Sequence, residues 1–210
     1  MTTNKRVQTT ATKQAGLTLI ELMVVLVLAG IIMAAGVPAF NELMKRTRMN
    51  SEFDQSLGNF AFARSEAVKR NQSVSVCPSD DQSTCTGTSW NNDWLIFVDD
   101  GNGGGTADNR DRDGSETILR VRQARSADFT VNLTNFTDNG GVLFGGDGKM
   151  EDADLNNVGE LILCDDRGEE SAKGLAFSAF GQFRLMRDTD SSGVVDYAND
   201  AGTTVDVICP

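Results

Sequence analysis

A chain of 210 residues has room for one domain of ordinary size, with some chain to spare. Its 19 Lys and Arg stand against 30 Asp and Glu, a formal charge of −11, and this argues against a general nucleic-acid coat, because phosphate binding rests on dense cations. Histidine is absent, which excludes Ser–His–Asp and Cys–His relays, HExxH zinc centres and the common zinc finger.

In chain order, residues 1–16 carry Lys5, Arg6 and Lys13 and no acid. Residues 22–40, LMVVLVLAGIIMAAGVPAF, are nineteen in a row without a charge. As a helix they span roughly 28 Å, about the hydrocarbon thickness of a bilayer. Basic flanks stay cytoplasmic, so the N-terminus is expected inside and the rest outside. An ordinary secretory signal places a small-residue cleavage site after its apolar run. Here Ala34, Ala35 and Gly36 lie inside the run, and Ala39 is next to Pro38. The small residue that stands out is Gly16, before the run. A cut after it would remove the charged leader and keep the helix.

The helical pattern continues beyond the apolar run. Met49, Phe53, Leu57 and Phe60 recur at three- and four-residue steps, followed by Ala67 and Val68. Residues 41–70 contain no Pro and a single glycine, Gly58. One long helix is predicted over 17–70, kinked near Pro38, with an amphipathic second half that packs against a sheet. From Asn71 onward the pattern changes to short β runs between Gly, Asp and Asn turns. Strands are predicted at 73–77, 94–98, 117–121, 129–133, 142–144, 160–164, 174–178, 183–186 and 205–209. One helix followed by many strands is an α+β class with a mainly antiparallel sheet.

Cys77, Cys85, Cys164 and Cys209 all follow the apolar run, on the side where disulfides persist. Four cysteines allow three connectivities. Cys77 and Cys85 bracket a short polar turn, and Cys209 is the penultimate residue, so the spacing favours 77–85 with 164–209. Zinc is disfavoured by the lack of His and of a CxxC pair. Asp188, Asp190, Ser192 and Asp196 follow the spacing of a calcium loop at positions 1, 3, 5 and 9, with Gly193 at the sharp turn. Position 12 is Asn199 instead of Glu. The competing reading is a solvated acidic turn. The stretch 108–116 is a weaker version, opposed by Arg110 and Arg112. No other cofactor is expected. No spacing of Ser–Lys or paired carboxylates singles out a catalytic site, so the chain is not read as an enzyme.

The segment KQAGLTLIELMVVLVLAGIIMAAGVPAF resembles a type IV prepilin leader and helix. The resemblance implies a dedicated peptidase that cuts after Gly16 and methylates the amine of Leu17. Leu17 departs mildly from the commoner Phe. Glu21 becomes the fifth mature residue, the family's acidic position. The resemblance further implies that Glu21 pairs with the Leu17 amine of its own or a neighbouring subunit during assembly. Pro38 falls where pilins usually carry a helix-kinking proline.

Further on, ARSEAVKRNQSVSVCPS (63–79), WNNDWLIFVDDGNG (90–103), ELILCDDRG and GLAFSAFGQFRL resemble the GspH/FimT/FimU family of minor pilins and pseudopilins. The acidic insert 104–113 departs from the commonest pattern. The implied fold is pilin-like: a leader at 1–16, a transmembrane helix at 17–40, the amphipathic half of the helix at 41–71 and a globular β domain at 72–210. The implied function is that of a minor pilin, a structural subunit that primes assembly of a type IV pilus and sits at or near its tip. The alternatives are a pseudopilin of a type II secretion system and a DNA-binding pilin for uptake. Implied partners are other minor and major pilins or pseudopilins, the prepilin peptidase and the inner membrane, with the globular domain in the periplasm. FimT-type relatives carry a Gly-Arg-x-Arg signature. Here it reads Gly181-Gln182-Phe183-Arg184, with Arg187 nearby and Asp188 and Asp190 following. The first Arg is missing, so Arg184 and Arg187 are read as strand-surface charges rather than as a DNA site.

Overall fold

The computed structural model describes residues 16, 18–86, 89–123, 129–134, 140–150, 159–198 and 204–209. The leader 1–15, Leu17 and Asn199 lie outside them. The chain forms two compact units, Met1–Arg46 and Thr47–Pro210. Helix α1 (Leu19–Arg70) supplies the described helical part of the first unit and the opening of the second. It starts at Leu19, where the Thr18 hydroxyl accepts the Glu21 N–H at 3.3 Å and the Thr18 carbonyl accepts the Leu22 N–H at 3.2 Å. Thr18 therefore acts as an N-cap, with the acid three residues on as in a capping box. Pro38 lies inside the helix, which continues through it.

Among the described residues the second unit holds ten strands: β1 (Val74–Ser79), β2 (Asp93–Val98), β3 (Ile118–Arg122), β4 (Phe129–Thr134), β5 (Val142–Phe144), β6 (Glu160–Asp165), β7 (Lys173–Phe177), β8 (Phe183–Leu185), β9 (Asp196–Ala198) and β10 (Thr204–Asp206). They form two antiparallel four-stranded sheets, in the orders β3-β2-β1-β5 and β4-β6-β7-β8, and a β9–β10 hairpin. Most predicted strands are present, displaced by a residue or two. Two expectations change. Strand β9 falls where the acidic loop was expected, and the last strand ends at Asp206 instead of 209. Beyond it Val207 is buried, its N–H bonds to the Val195 carbonyl, and Cys209 turns to reach Cys164.

The core explains the spacing of the apolar residues in residues 47–70. Met49, Phe53, Phe60, Ala63 and Ala67 recur on one face and are all buried. Phe60 sits where both sheets meet the helix. Its ring lies 5.5 Å from Trp94 on β2 and 4.9 Å from Phe177 on β7, edge-on to the latter. Val74, Val76 and Ile96 join this cluster from the first sheet, and Leu161, Leu163 and Leu175 from the second. The opposite faces are also covered, so the central strands are buried on both sides. Cys77, Leu95 and Phe97 pack with Cys85 and Ile118, while Ile162 and Cys164 pack with Val194, Val207 and Cys209.

Candidate functional site

The first unit presents an apolar helix surface. Leu19, Ile20, Val24, Leu26, Val27, Leu28, Ile31 and Ile32 are each more than half exposed, and an 18-residue window reaches a mean hydropathy of 2.6 with none of it buried. The helix is long and apolar enough to cross a membrane. Glu21 is the one charged residue between Leu19 and Phe40, and its side chain is exposed in the first turn. An acid there gains about 0.3–1 kcal/mol from the helix dipole. That is less than the roughly 2.5–3.5 kcal/mol a charge costs at the centre of a membrane helix, although the cost falls towards the end. Helix capping alone therefore gives a weak reason for a carboxylate in this segment. Thr18, which fixes where the helix begins, is a residue the sequence reading passed over, although Thr-x-x-Glu at 18–21 was there to be seen.

The disulfides join Cys77 to Cys85, with Cα atoms 5.6 Å apart, and Cys164 to Cys209, 5.8 Å apart. The first holds the polar turn against the outer face of β1 and β2. The second ties the chain end to β6.

The acidic insert folds around two buried carboxylates. Asp99 accepts hydrogen bonds from the Ser75 hydroxyl at 2.7 Å and the Arg110 N–H at 2.8 Å. Glu116 accepts the Gly101 N–H at 2.9 Å and the Asp113 N–H at 3.1 Å. Burial pushes both carboxyls above their ordinary values, against the lowering effect of these donors. Arg112 spans from the Glu116 carbonyl to the Ser83 carbonyl, pinning the insert to the first disulfide loop. The stretch 108–116 is thus organised by backbone donors. Its carboxylates do not converge as the group Asp188, Asp190 and Asp196 does among the described residues.

Arg184 and Arg187 line one open groove of about 650 Å³, together with Phe183, Thr189, Glu160 and Asp196. Both arginines are exposed, as expected of strand-surface charges, and two acids share their groove. Gly181, the first residue of the motif, has a structural reason to be glycine. Its φ is +68°, and an added Cβ would come within 2.1 Å of the Gly148 carbonyl oxygen. Arg64 donates to that same carbonyl at 2.8 Å and to the Phe180 carbonyl at 3.2 Å, fastening the helix to the β7–β8 turn. The composition of this patch gives phosphate binding little support.

The calcium-spaced residues do come together. One carboxylate oxygen each from Asp188, Asp190 and Asp196 lies within 4.8 Å of the others. Ser192 stands beside them, its N–H donating to Asp190 at 2.9 Å and its hydroxyl donating to Asp206 on β10 at 2.9 Å. Asp206 was not anticipated, because only the hairpin register brings it opposite Asp196.

The profile of the prokaryotic N-terminal methylation motif matches residues 11–37. No curated protein matches the chain. Two solved structures are similar, both of the type IV minor pilin FimU from Pseudomonas aeruginosa, in two crystal forms. One has 18% identity and a TM-score of 0.49, covering 69% of this chain and 92% of that one. The other has 17% identity and a TM-score of 0.47, covering 66% and 93%. The profile described as Type II transport protein GspH matches residues 54–181, more than half of the sequence, and the chain therefore belongs to the GspH family of minor pilins and pseudopilins.

Proposed function

We propose that this chain is a minor pilin, a structural, non-catalytic subunit that primes assembly of a type IV pilus and sits at or near its tip. The observation that carries the reading is the exposed apolar helix surface with Glu21 as its one charge between Leu19 and Phe40. Lys5, Arg6 and Lys13 keep the N-terminus cytoplasmic, so the helix waits in the inner membrane with the disulfide-bonded domain in the periplasm. Prepilin peptidase cuts after Gly16, and the new Leu17 amine is methylated. That amine is a cation four residues from Glu21, and it pairs with Glu21 of its own or a neighbouring subunit. On assembly the apolar side chains exchange lipid for other pilin helices, where close packing holds them. Pro38 lets the helix adapt within that bundle. The partners are other pilins, the peptidase and the membrane, without nucleic acid and without a cofactor in the assembly step.

The description of the matched family favours a second reading, a pseudopilin in type II secretion. Both readings are tested by Glu21→Ala in the native host, beside a deletion strain. The variant should insert and be processed as wild type, giving an intact mass that begins at methylated Leu17. Its co-purification with other pilins should fall at least about tenfold, the equivalent of ~1.4 kcal/mol of lost pairing. Loss of surface pili in the deletion strain assigns the pilus, and loss of exported protein assigns the secretion system. Wild-type co-purification and output from the variant would overturn the role of Glu21. A mature N-terminus beyond Pro38 would overturn the pilin processing.

A further inference from the structure

The C-terminal loop and hairpin gather four acids, Asp188, Asp190, Asp196 and Asp206; Asp188 accepts the N–H groups of Ser191, Ser192 and Gly193, and among the described residues none of the four is in a salt bridge. Asp188, Asp190 and Asp196 bring carboxylate oxygens within 4.8 Å of one another. Asp196 is 7% exposed, and its two oxygens have different fates. Oδ2 accepts both the N–H and the hydroxyl of Thr189. Oδ1 is buried with no hydrogen-bond partner. The residue directly opposite Asp196 in the β9–β10 register is another acid, Asp206, which abuts it. Like charges directly opposite in an antiparallel pair are destabilising, and a buried charge without a partner is costly. Arg187, the basic residue next to Asp188, is exposed in the groove that Asp196 also lines. Two carboxylates in contact need either a shared proton or a cation between them.

We propose that the 188–196 loop binds one calcium ion. Asp188, Asp190 and Asp196 supply carboxylate oxygens at positions 1, 3 and 9 of the loop. The Ser192 hydroxyl stands at position 5 and the Val194 carbonyl at position 7, with water completing the shell. Ser192 donates its hydroxyl proton to Asp206 and accepts the Val194 N–H at 3.2 Å, which leaves one lone pair of its oxygen for the metal. The donor set is all oxygen, which suits a hard cation and not zinc. Gly193, at φ +93°, supplies the turn such a loop needs at position 6. Val194 and Val207, on either side of the hairpin, pack on Ile162 and Cys164 of β6. The ion therefore acts with the Cys164–Cys209 bond as a second fastening of the chain end to the outer face of the second sheet.

The test uses the full-length, detergent-solubilised, oxidised protein, stripped with chelator. Calcium chloride and, separately, magnesium chloride are titrated by calorimetry, and melting temperature is read in parallel. The expected result is one calcium per chain with a Kd of about 10⁻⁴–10⁻³ M, the range of extracellular modules, and a rise in melting temperature at saturation. Asp190→Asn and Asp196→Asn should each weaken binding at least about tenfold, ~1.4 kcal/mol. Asp190 is exposed, so its variant keeps the fold and is the decisive one. No heat and no thermal shift at a calcium concentration about ten times the upper Kd would overturn the site. An equal response to magnesium, or wild-type affinity in Asp190→Asn, would overturn it as well.

Discussion

The two halves of α1 obey opposite rules. In residues 19–46 the large apolar side chains face outward: Leu19 is 77% exposed and Ile32 70%. In residues 47–70 Met49, Phe53 and Phe60 turn inward, and Phe60, Ala63 and Ala67 are wholly buried, whereas Val68, expected on the same stripe, is 51% exposed. Polar residues follow the same reversal. Glu52 and Asn59 are buried beside the core, where Glu52 meets Arg122 at 2.8 Å and Asn59 accepts from Arg120 at 3.2 Å. The second half therefore finds its partners within its own chain. The first half leaves its apolar surface uncovered by the described residues of its own chain. A continuous helix can thus carry two contracts, one for folding and one for assembly, and a substitution in one half should leave the other's contract intact.

The largest expected effect tests that separation directly. Phe60→Ala removes the ring that bridges Trp94 and Phe177 and should cost about 4 kcal/mol, within the usual range for a buried Phe truncated to Ala. Leu28→Ala deletes a comparable apolar group that is 54% exposed, and should change domain stability by less than about 0.5 kcal/mol. Urea unfolding of the detergent-solubilised protein, read by Trp fluorescence, measures both. Similar losses from the two would show that the apolar half is part of the folding unit.

A smaller effect probes the polar side of the inward half. The Arg122–Glu52 pair is nearly buried, with side-chain exposures of 10% and 8%, and Arg122 also lies 4.3 Å over the Trp94 ring. Removing one partner of such a pair strands the other charge, so Glu52→Ala should destabilise by about 3 kcal/mol. Glu52→Gln keeps an acceptor for Arg122 and should lose less. By contrast, Arg46→Ala, which breaks the exposed pair with Glu42 in the outward half, should cost under about 0.5 kcal/mol. The same unfolding assay reads all three. A mild Glu52→Ala would leave the fastening of helix to sheet to the aromatic contacts and to the hydrogen bonds of Arg64 and of Asn59 with Arg120.

Much of this division was legible before any coordinates. The uncharged run, the step pattern from Met49 to Phe60 and the short β runs are all local periodicities, and periodicity reports burial directly. The favoured cysteine pairing also matches the bonds present, because 77–85 brackets a local turn and Cys209 needs an anchor. What escaped depends on long-range register. Nothing near Glu52 in sequence points to Arg122, seventy positions on. The Asp188 loop was visible as spacing, but Asp206 enters only through the pairing of β9 with β10. The stretch 108–116 read as a weaker calcium-like spacing, yet Glu116 and the neighbouring Asp99 are each 1% exposed, because loop N–H groups converge on them. Gly181 read as part of a DNA-binding motif, whereas its close approach to Gly148 could be seen only in three dimensions.

The smallest effect concerns how the domain holds its acids, in contrast to Glu21, whose proposed partner is an amine created by processing. Glu116 lies in a cage of its own fold: Oε1 accepts the Gly101 N–H and Oε2 accepts the Asp113 N–H. Glutamine matches the protonated carboxyl, one carbonyl acceptor beside a donor, so Glu116→Gln should change stability by less than about 1 kcal/mol on the acid side. The pH dependence sets this cage apart from an ordinary ion pair. Burial raises the Glu116 carboxyl above its ordinary value of 4.5, and the nearby charges of Asp99 and Asp113 push the same way. The native state then holds this proton more tightly than the unfolded chain does. Its contribution to stability is complete below pH 4.5 and is lost as pH rises through the higher folded value. The glutamine variant lacks that titration. Wild type should therefore lose stability relative to the variant as pH rises from the acid side towards neutral, as read by urea unfolding across that interval. A wild type that gains on the variant with rising pH would mean that the two N–H donors outweigh burial and that the cage is built for the ionised carboxylate.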